Sequence, residues 1–481
     1  MANQLWFRYG GLGVVGISLL GGGWWWWQND AAEWAIAPLP QDPQIQVYFN
    51  HSQASRYDEP YRDQTRPGDN LEQVMIDTIN RAQVSIDVAI HELNLPSVAQ
   101  ALAAQQRHGI AVRVITENTY RQPWSQLNQA QVAALSERDR TKYDEFIQLA
   151  DLNQDGIVQA NESLERDALY ILDFAAIPVI DDTADGSKGS GLMHHKFLVV
   201  DGEIAVMGSA NFTLSGIHGD LGDSESRGNA NHLVVIQNDA IAQHLTSEFN
   251  LMWGDGPSGQ DDSLFGLQKP PRSPYNVTIA AGSQVTLQFS PVSGDRHPWE
   301  QSANGLINDT LNTAQRQIDL ALFVFSDQKL SHGLLLKSQQ SVSIRALIDS
   351  SFIYRSYSEA LDMMGIAIPN RQCQYDTDNR PWSQPITNVG IPQLAAGDRL
   401  HHKFAVVDQQ TVITGSQNWS ESANHQNDEI VVIIDNPTVA AHFSREFERL
   451  YENASLGVPS WLQTKIQEER TRCGMAIAPL P

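Results

Sequence analysis

The chain has 481 residues, 41% of them hydrophobic, and a formal net charge of -24. That length exceeds one ordinary domain and suits two or three, each able to bury a core. The acidic balance repels polyanions in bulk and disfavours a protein that tracks nucleic acid, while two cysteines exclude a disulfide framework or a cysteine-based zinc site.

At the N-terminus, Arg8 precedes an apolar, glycine-rich run from Tyr9 to Leu20, and Trp24 to Trp27 follow. The run approaches the minimum that spans a bilayer, and tryptophans favour the membrane–water interface. Residues 1–40 are therefore expected to form a membrane anchor, with the bulk of the chain extracytoplasmic (periplasmic or extracellular). Ala35-Ile36-Ala37 has the small residues of a cleavage site, so a secreted form is the alternative.

Two similar halves follow. Ala82 to Ile90 (AQVSIDVAI) comes after a helical stretch from Leu71, and Ala314 to Leu322 (AQRQIDLAL) after one from Leu306. Each half then runs through a polar helix into a second apolar strand, Val112 to Ile115 and Ile344 to Leu347. Alternating strands and helices predict an α/β fold of two halves, each a mainly parallel sheet flanked by helices. The first half is expected over 41–255, a linker over 256–282, the second half over 283–455 and a tail over 456–481. Cys373 and Cys473 are either one bridge or two unrelated thiols.

Inside the first half, at about 140–175, sits an insertion with an EF-hand-like loop. Asp151, Asn153 and Asp155 supply side-chain oxygens at positions 1, 3 and 5, Ile157 a carbonyl at 7, and Glu162 a bidentate carboxylate at 12, with Gly156 at the turn. A structural Ca2+ is expected there, with no part in catalysis.

The first half then contains His194, Lys196 and Asp201, followed by Gly208, Ser209 and Asn211. The second contains His401, Lys403 and Asp408, followed by Gly415, Ser416 and Asn418 at identical spacing. Six fixed residue types match by chance on the order of 10⁻⁸ per start position. The segments are apolar and β-branched, so each is a strand whose i and i+2 side chains share a face. His194 and Lys196 point one way and His195 the other, as do His401 and Lys403 against His402. Parity puts Asp201 and Asp408 on the opposite face, where they would fix a turn. Ser209, Asn211, Ser416 and Asn418 can donate hydrogen bonds to phosphate oxygens. Splitting a phosphodiester without metal needs a nucleophile, an acid for the leaving oxygen and positive charge around the phosphoryl oxygens. Two histidines and two lysines supply these.

These paired motifs resemble the phospholipase D superfamily over roughly residues 45–455. The resemblance implies a pseudo-twofold pairing of the halves, a site at their interface and a phosphohistidine intermediate. It implies a catalytic set of His194, Lys196, Asp201, His401, Lys403, Asp408 and Glu429, with His194 as nucleophile and His401 as acid and base. Glu429, before the apolar Ile430 to Ile433, looks like the carboxylate that orients a motif histidine. Aligning Leu233 to Ile236 with that run puts His232 at the matching place, with the acidic turn Asp220 to Glu225 as a substitute source of charge. A phospholipid is the expected substrate. A nuclease acting on DNA or RNA and a phosphatidyl transferase of the cardiolipin synthase kind are the alternatives.

Overall fold

The computed structural model describes residues 36–187, 191–257, 259–279, 282–375 and 379–474. The expected N-terminal anchor lies almost wholly outside them; among the described residues, no helix is long and apolar enough to cross a membrane.

Each half is built on one sheet. The first has seven strands in the order Ile45–Phe49, His232–Gln237, Ile204–Gly208, Lys196–Val200, Ser85–Ile90, Ala111–Thr116, Val179–Asp181. The second repeats that order from Gln284–Ser290 through Glu429–Asp435, Thr411–Gly415, Lys403–Val407, Gln317–Leu322 and Ser343–Ile348 to Val389–Ile391. Short strands Tyr275–Thr278 and Ser455–Leu456 extend its edges.

The α/β class and the two-half arrangement hold, but the sheets are mixed rather than mainly parallel. In the first, only Ser85–Ile90, Ala111–Thr116 and Val179–Asp181 run parallel; the motif strand pairs antiparallel on both sides. The reason is local. The loops after Val200 and Val407 are short, so each motif strand closes a hairpin with the next strand. Helical connections join Ser85–Ile90 to Ala111–Thr116 and that strand to Val179–Asp181, which is where the sheet is parallel.

One face of both sheets contributes to a single core, shared with helices Asp239–Trp253 and Pro437–Tyr451. The opposite faces pack separately. The first covers helices Leu71–Ile79, Pro96–Arg107 and Ala168–Phe174. The second covers Ala303–Asn312, Gln328–Gln339 and Ser460–Arg472. Two expected boundaries therefore shift. Tyr275–Thr278, inside the expected linker, is an edge strand of the second sheet, and the tail helix Ser460–Arg472 buries Leu462 and Ile466 in the second core. Cys373 and Cys473 form a disulfide that ties this helix back to the second half.

Candidate active site

The halves meet at the starts of their motif strands. The His194 backbone N–H donates to the Asp428 carbonyl at 2.9 Å, and that of His401 to the Ala230 carbonyl at 3.1 Å. Each motif thus enters the site beside the strand that follows the other half's Gly-Ser-x-Asn segment. His194 and His401 keep 6% and 8% of their surface exposed, while Lys196 and Lys403 are buried behind them. The Lys196 ammonium donates to the His194 carbonyl at 3.1 Å, and Lys403 to the His401 carbonyl at 2.8 Å.

Each ring is oriented through Nδ1 by a residue of the opposite half. His194 Nδ1 lies 2.7 Å from Glu429 Oε2. His401 Nδ1 lies 2.9 Å from Asn231 Oδ1. The direction of the Asn231 amide is fixed, because its Nδ2 donates to the Gly216 carbonyl at 2.7 Å. Its Oδ1 accepts, so His401 carries hydrogen on Nδ1 and presents Nε2 to the site. The counterpart of Glu429 is therefore Asn231, not His232. The register shows why. Val431 pairs with Gly415 as Leu233 pairs with Gly208, which sets Glu429 against Asn231 and moves the expected alignment by one residue. A one-residue slip turns a strand side chain to the other face. There His232 lies between the halves, its Nδ1 3.0 Å from His402 Nδ1 and its Nε2 2.6 Å from Thr414 Oγ1. The acidic turn Asp220 to Glu225 supplies no substitute for His401; Arg62 holds it through the Asp220 and Asp223 carbonyls.

Asp201 and Asp408 are far from this chemistry, at the opposite ends of the motif strands. Asp201 accepts from the backbone N–H groups of Gln83, Val84 and Ser85, and Asp408 from those of Gln315, Arg316 and Gln317. Burial alone would raise the Asp408 carboxyl, but these three donors pull it below the usual range. Both aspartates pin strand starts, away from the two histidines of the expected catalytic set.

The Gly-Ser-x-Asn residues divide by role. Ser209 donates to Asn231 Oδ1 at 2.8 Å, and Ser416 Oγ accepts the Ile430 N–H at 3.1 Å, so both hydroxyls support the orienting strands. Asn211 and Asn418 each keep a buried Oδ1 without a hydrogen-bond partner, leaving those amides uncommitted at equivalent places.

Two further residues carried no signal beyond their place at a strand end. His91 follows Ile90, and its ring sits edge-on to His194 at 4.9 Å. Phe323 follows Leu322 and meets His401 at 4.8 Å. They are equivalent in the two halves, so the site is asymmetric: imidazole on one side, phenyl on the other.

Electrostatics follow from the depth of the site. Burial, with the positive charge of Lys196 and Lys403, holds His194 and His401 well below the usual imidazole range. Burial lowers Lys196 to about 7 and Lys403 well below its usual value. Burial also raises Glu429 to about 7, with both lysines opposing that rise. Two buried lysines packed around two neutral imidazoles make a place for an anion, whose charge favours their ammonium forms.

Under the site, the second histidine of each motif is tied to a glutamate of the long helix. His402 Nε2 lies 2.9 Å from Glu446, which Arg449 also holds. His195 faces Glu248 at 3.5 Å, and Lys269 pairs with both Glu248 and Asp428, the latter at 2.6 Å. Lys269 lies in the expected linker.

In the EF-hand-like loop, Asp151 accepts from the Asp155 and Gly156 N–H groups, Asn153 from Asp155, and Asp155 from Ile157. Glu162 is buried and accepts from Leu152, Asn153 and Gln159. The donors are all oxygen, as calcium requires. Among the described residues, no three His, Cys, Asp or Glu side chains already converge on a metal position.

Residues 75–253 and 307–451 match the family model described as cardiolipin synthase, PLD-like domain. A mitochondrial cardiolipin hydrolase of Xenopus laevis is 30% identical over 157 residues, 32% of this chain and 64% of that protein. The match thus spans a little under two thirds of that relative's length. A phospholipase D of Rickettsia bellii is 24% identical over 166 residues, 34% of this chain and 68% of that protein. The crystal structure of phosphatidylserine synthase from Haemophilus influenzae superposes with a TM-score of 0.53 at 12% identity. It covers 91% of this chain and 94% of that one, which is a likeness of fold.

Proposed function

We propose, from the premise that this chain belongs to the family described as cardiolipin synthase, PLD-like domain, that it is a phospholipase D-type phosphodiesterase acting on phospholipids. The observation that carries the reading is the crossed orientation of the two histidines, His194 by Glu429 and His401 by Asn231. The named activities of the relatives support the lipid as substrate.

The chemistry follows in two balanced steps. The phosphodiester anion enters between the Lys196 and Lys403 ammoniums, and the free amides of Asn211 and Asn418 can turn to donate to its oxygens. Its charge favours the imidazolium of His401, which the empty site disfavours. His194 Nε2 attacks phosphorus, the P–O bond to the leaving alcohol breaks, and His401 Nε2–H gives that alcohol its proton. His401, now neutral, takes a proton from water as the water oxygen attacks phosphorus. The P–N bond breaks and His194 returns as neutral imidazole. The nucleophile is assigned to His194 because its ring gains positive charge on phosphorylation, and a carboxylate stabilises that charge better than an amide.

A structural Ca2+ held by Asp151, Asn153, Asp155, the Ile157 carbonyl and Glu162 belongs to the same proposal. So does an extracytoplasmic, membrane-anchored location. The N-terminal apolar run supports it, as does the disulfide, since such bonds persist in oxidising compartments.

The test offers the full chain phosphatidylcholine vesicles and single-stranded DNA side by side, with a His194→Asn, His401→Asn double variant as control. Headgroup release that the double variant lacks is expected. Cleavage of DNA with intact lipid would overturn the lipid reading.

A further inference from the structure

One face of the second half departs from the acidity of the rest of the chain. It is a pocket of about 480 Å³ between the turn after strand Ser343–Ile348, the turn at Asn370, and helix Ser460–Arg472. Arg355, Arg371 and Lys465 line it, and among the described residues none of them lies in an ion pair. The carboxylate in the wall, Glu469, is taken by Arg472. The face therefore carries net positive charge on a chain of net charge -24.

Its aromatic residues are placed as at a membrane surface. Tyr357 is 47% and Trp461 54% exposed. Trp461 stands edge-on against Tyr354 at 5.2 Å, so the two rings brace one another rather than open flat faces for stacking bases. Amphipathic rings mixed with cations suit the headgroup layer of a bilayer. The Cys373–Cys473 disulfide ties the Asn370 turn to the end of the helix, so the two walls are held together.

The face adjoins the catalytic centre. Phe352, on the same turn as Arg355, meets Phe323 at 4.8 Å, and Phe323 meets His401. A nucleic-acid strand would need its cationic track to continue toward His401. The neighbouring cleft, which Arg399 joins to the same turn through Ser351, instead sets Asp398 against that one cation, with Asp349 buried at its base.

We propose that this pocket is an interfacial docking site that seats the second half on an anionic phospholipid bilayer, with the mouth of the active site turned toward the lipid. The proposal deepens the phospholipase reading, but its binding step does not depend on that reading.

The test therefore uses the full chain silenced by His194→Asn, with an environment-sensitive dye on Tyr357→Cys. A control carries the dye on Val84→Cys, an exposed site in the other half. Phosphatidylcholine vesicles containing phosphatidylglycerol should shift the dye at 357 and not at 84. Added salt should weaken the effect. Arg371→Glu with Lys465→Glu should reduce apparent affinity at least about tenfold. An equal response in the charge-reversed protein, or a response to single-stranded DNA and not to vesicles, would overturn the proposal. Failure of the wild-type chain to hydrolyse lipid would refute the phospholipase reading while leaving the dye result standing.

Discussion

The two nitrogens of His194 are distinguished by Glu429. Bound through Nδ1, the ring has only Nε2 to offer a substrate, and in the proposed reaction the carboxylate is poised for the charge that bond formation to phosphorus creates. That poise has a cost. Burial raises the Glu429 carboxyl from 4.5 to about 7, so in that window the folded protein holds a proton that the unfolded chain lacks. Stability should fall as pH rises from 4.5 through 7, with the full penalty present above. Glu429→Gln keeps an acceptor but removes the charge. It should raise the melting temperature at pH 8 by about 2–4 °C and lower turnover about 10²-fold. A variant that loses both stability and turnover would argue that Glu429 is mainly structural. Lys196 gives a second prediction. Because burial lowers its ammonium to about 7, kcat/KM should fall as pH rises through 7. The bound phosphate holds the proton, so the same limb in kcat should lie higher. Coincident limbs in the two profiles would contradict this. The sequence makes His194, Lys196, His401 and Lys403 legible because strand parity is rigid. It hides Asn231 because the apolar run around Leu233 offers no landmark to choose between two registers one residue apart.

Hairpins and buried charges set the site's rigidity. The motif hairpins are legible as apolar strands, but their antiparallel pairing is not, since a run such as Lys196–Val200 reads the same in either direction. The linker conceals a working part. Lys269 joins Glu248 of the first half to Asp428 of the second, beside Glu429, and Gly266 donates to the same aspartate at 3.0 Å. Lys269→Met would leave buried Asp428 without its cation and Glu248 with Arg272 alone, at 3.3 Å. It should destabilise the fold by about 3–5 kcal/mol in denaturant titration, because Asp428 loses its compensating charge. A loss under 1 kcal/mol would mean that solvent reaches that interface. His195→Ala should act likewise on stability while leaving kcat within a few-fold, since its ring faces Glu248 and not the site.

Across the whole molecule, the doubled sequence predicts the doubled fold, and the crossing is what it does not reveal. Each half lends the other its orienting residue, so neither half holds a complete site. The EF-hand-like insertion belongs to this scale as an outlying brace: its helices cover part of the first half, and Lys142 of the insertion reaches back to Glu92 at 2.8 Å. Chelating calcium should lower the melting temperature by several degrees and change kcat little; an unchanged melting temperature would remove the ion from the description. The composite site itself is tested by trapping its intermediate. In a His401→Asn chain the base that activates water is gone, so a substrate with a good leaving group, p-nitrophenyl phosphocholine, should lose p-nitrophenol and leave its phosphocholine group bonded through phosphorus to the protein. Peptide mass spectrometry should find it on His194, with p-nitrophenol released once per chain. Phosphocholine on His401 in a His194→Asn chain, or none on either histidine, would contradict a site in which His194 attacks and His401 serves as acid and base.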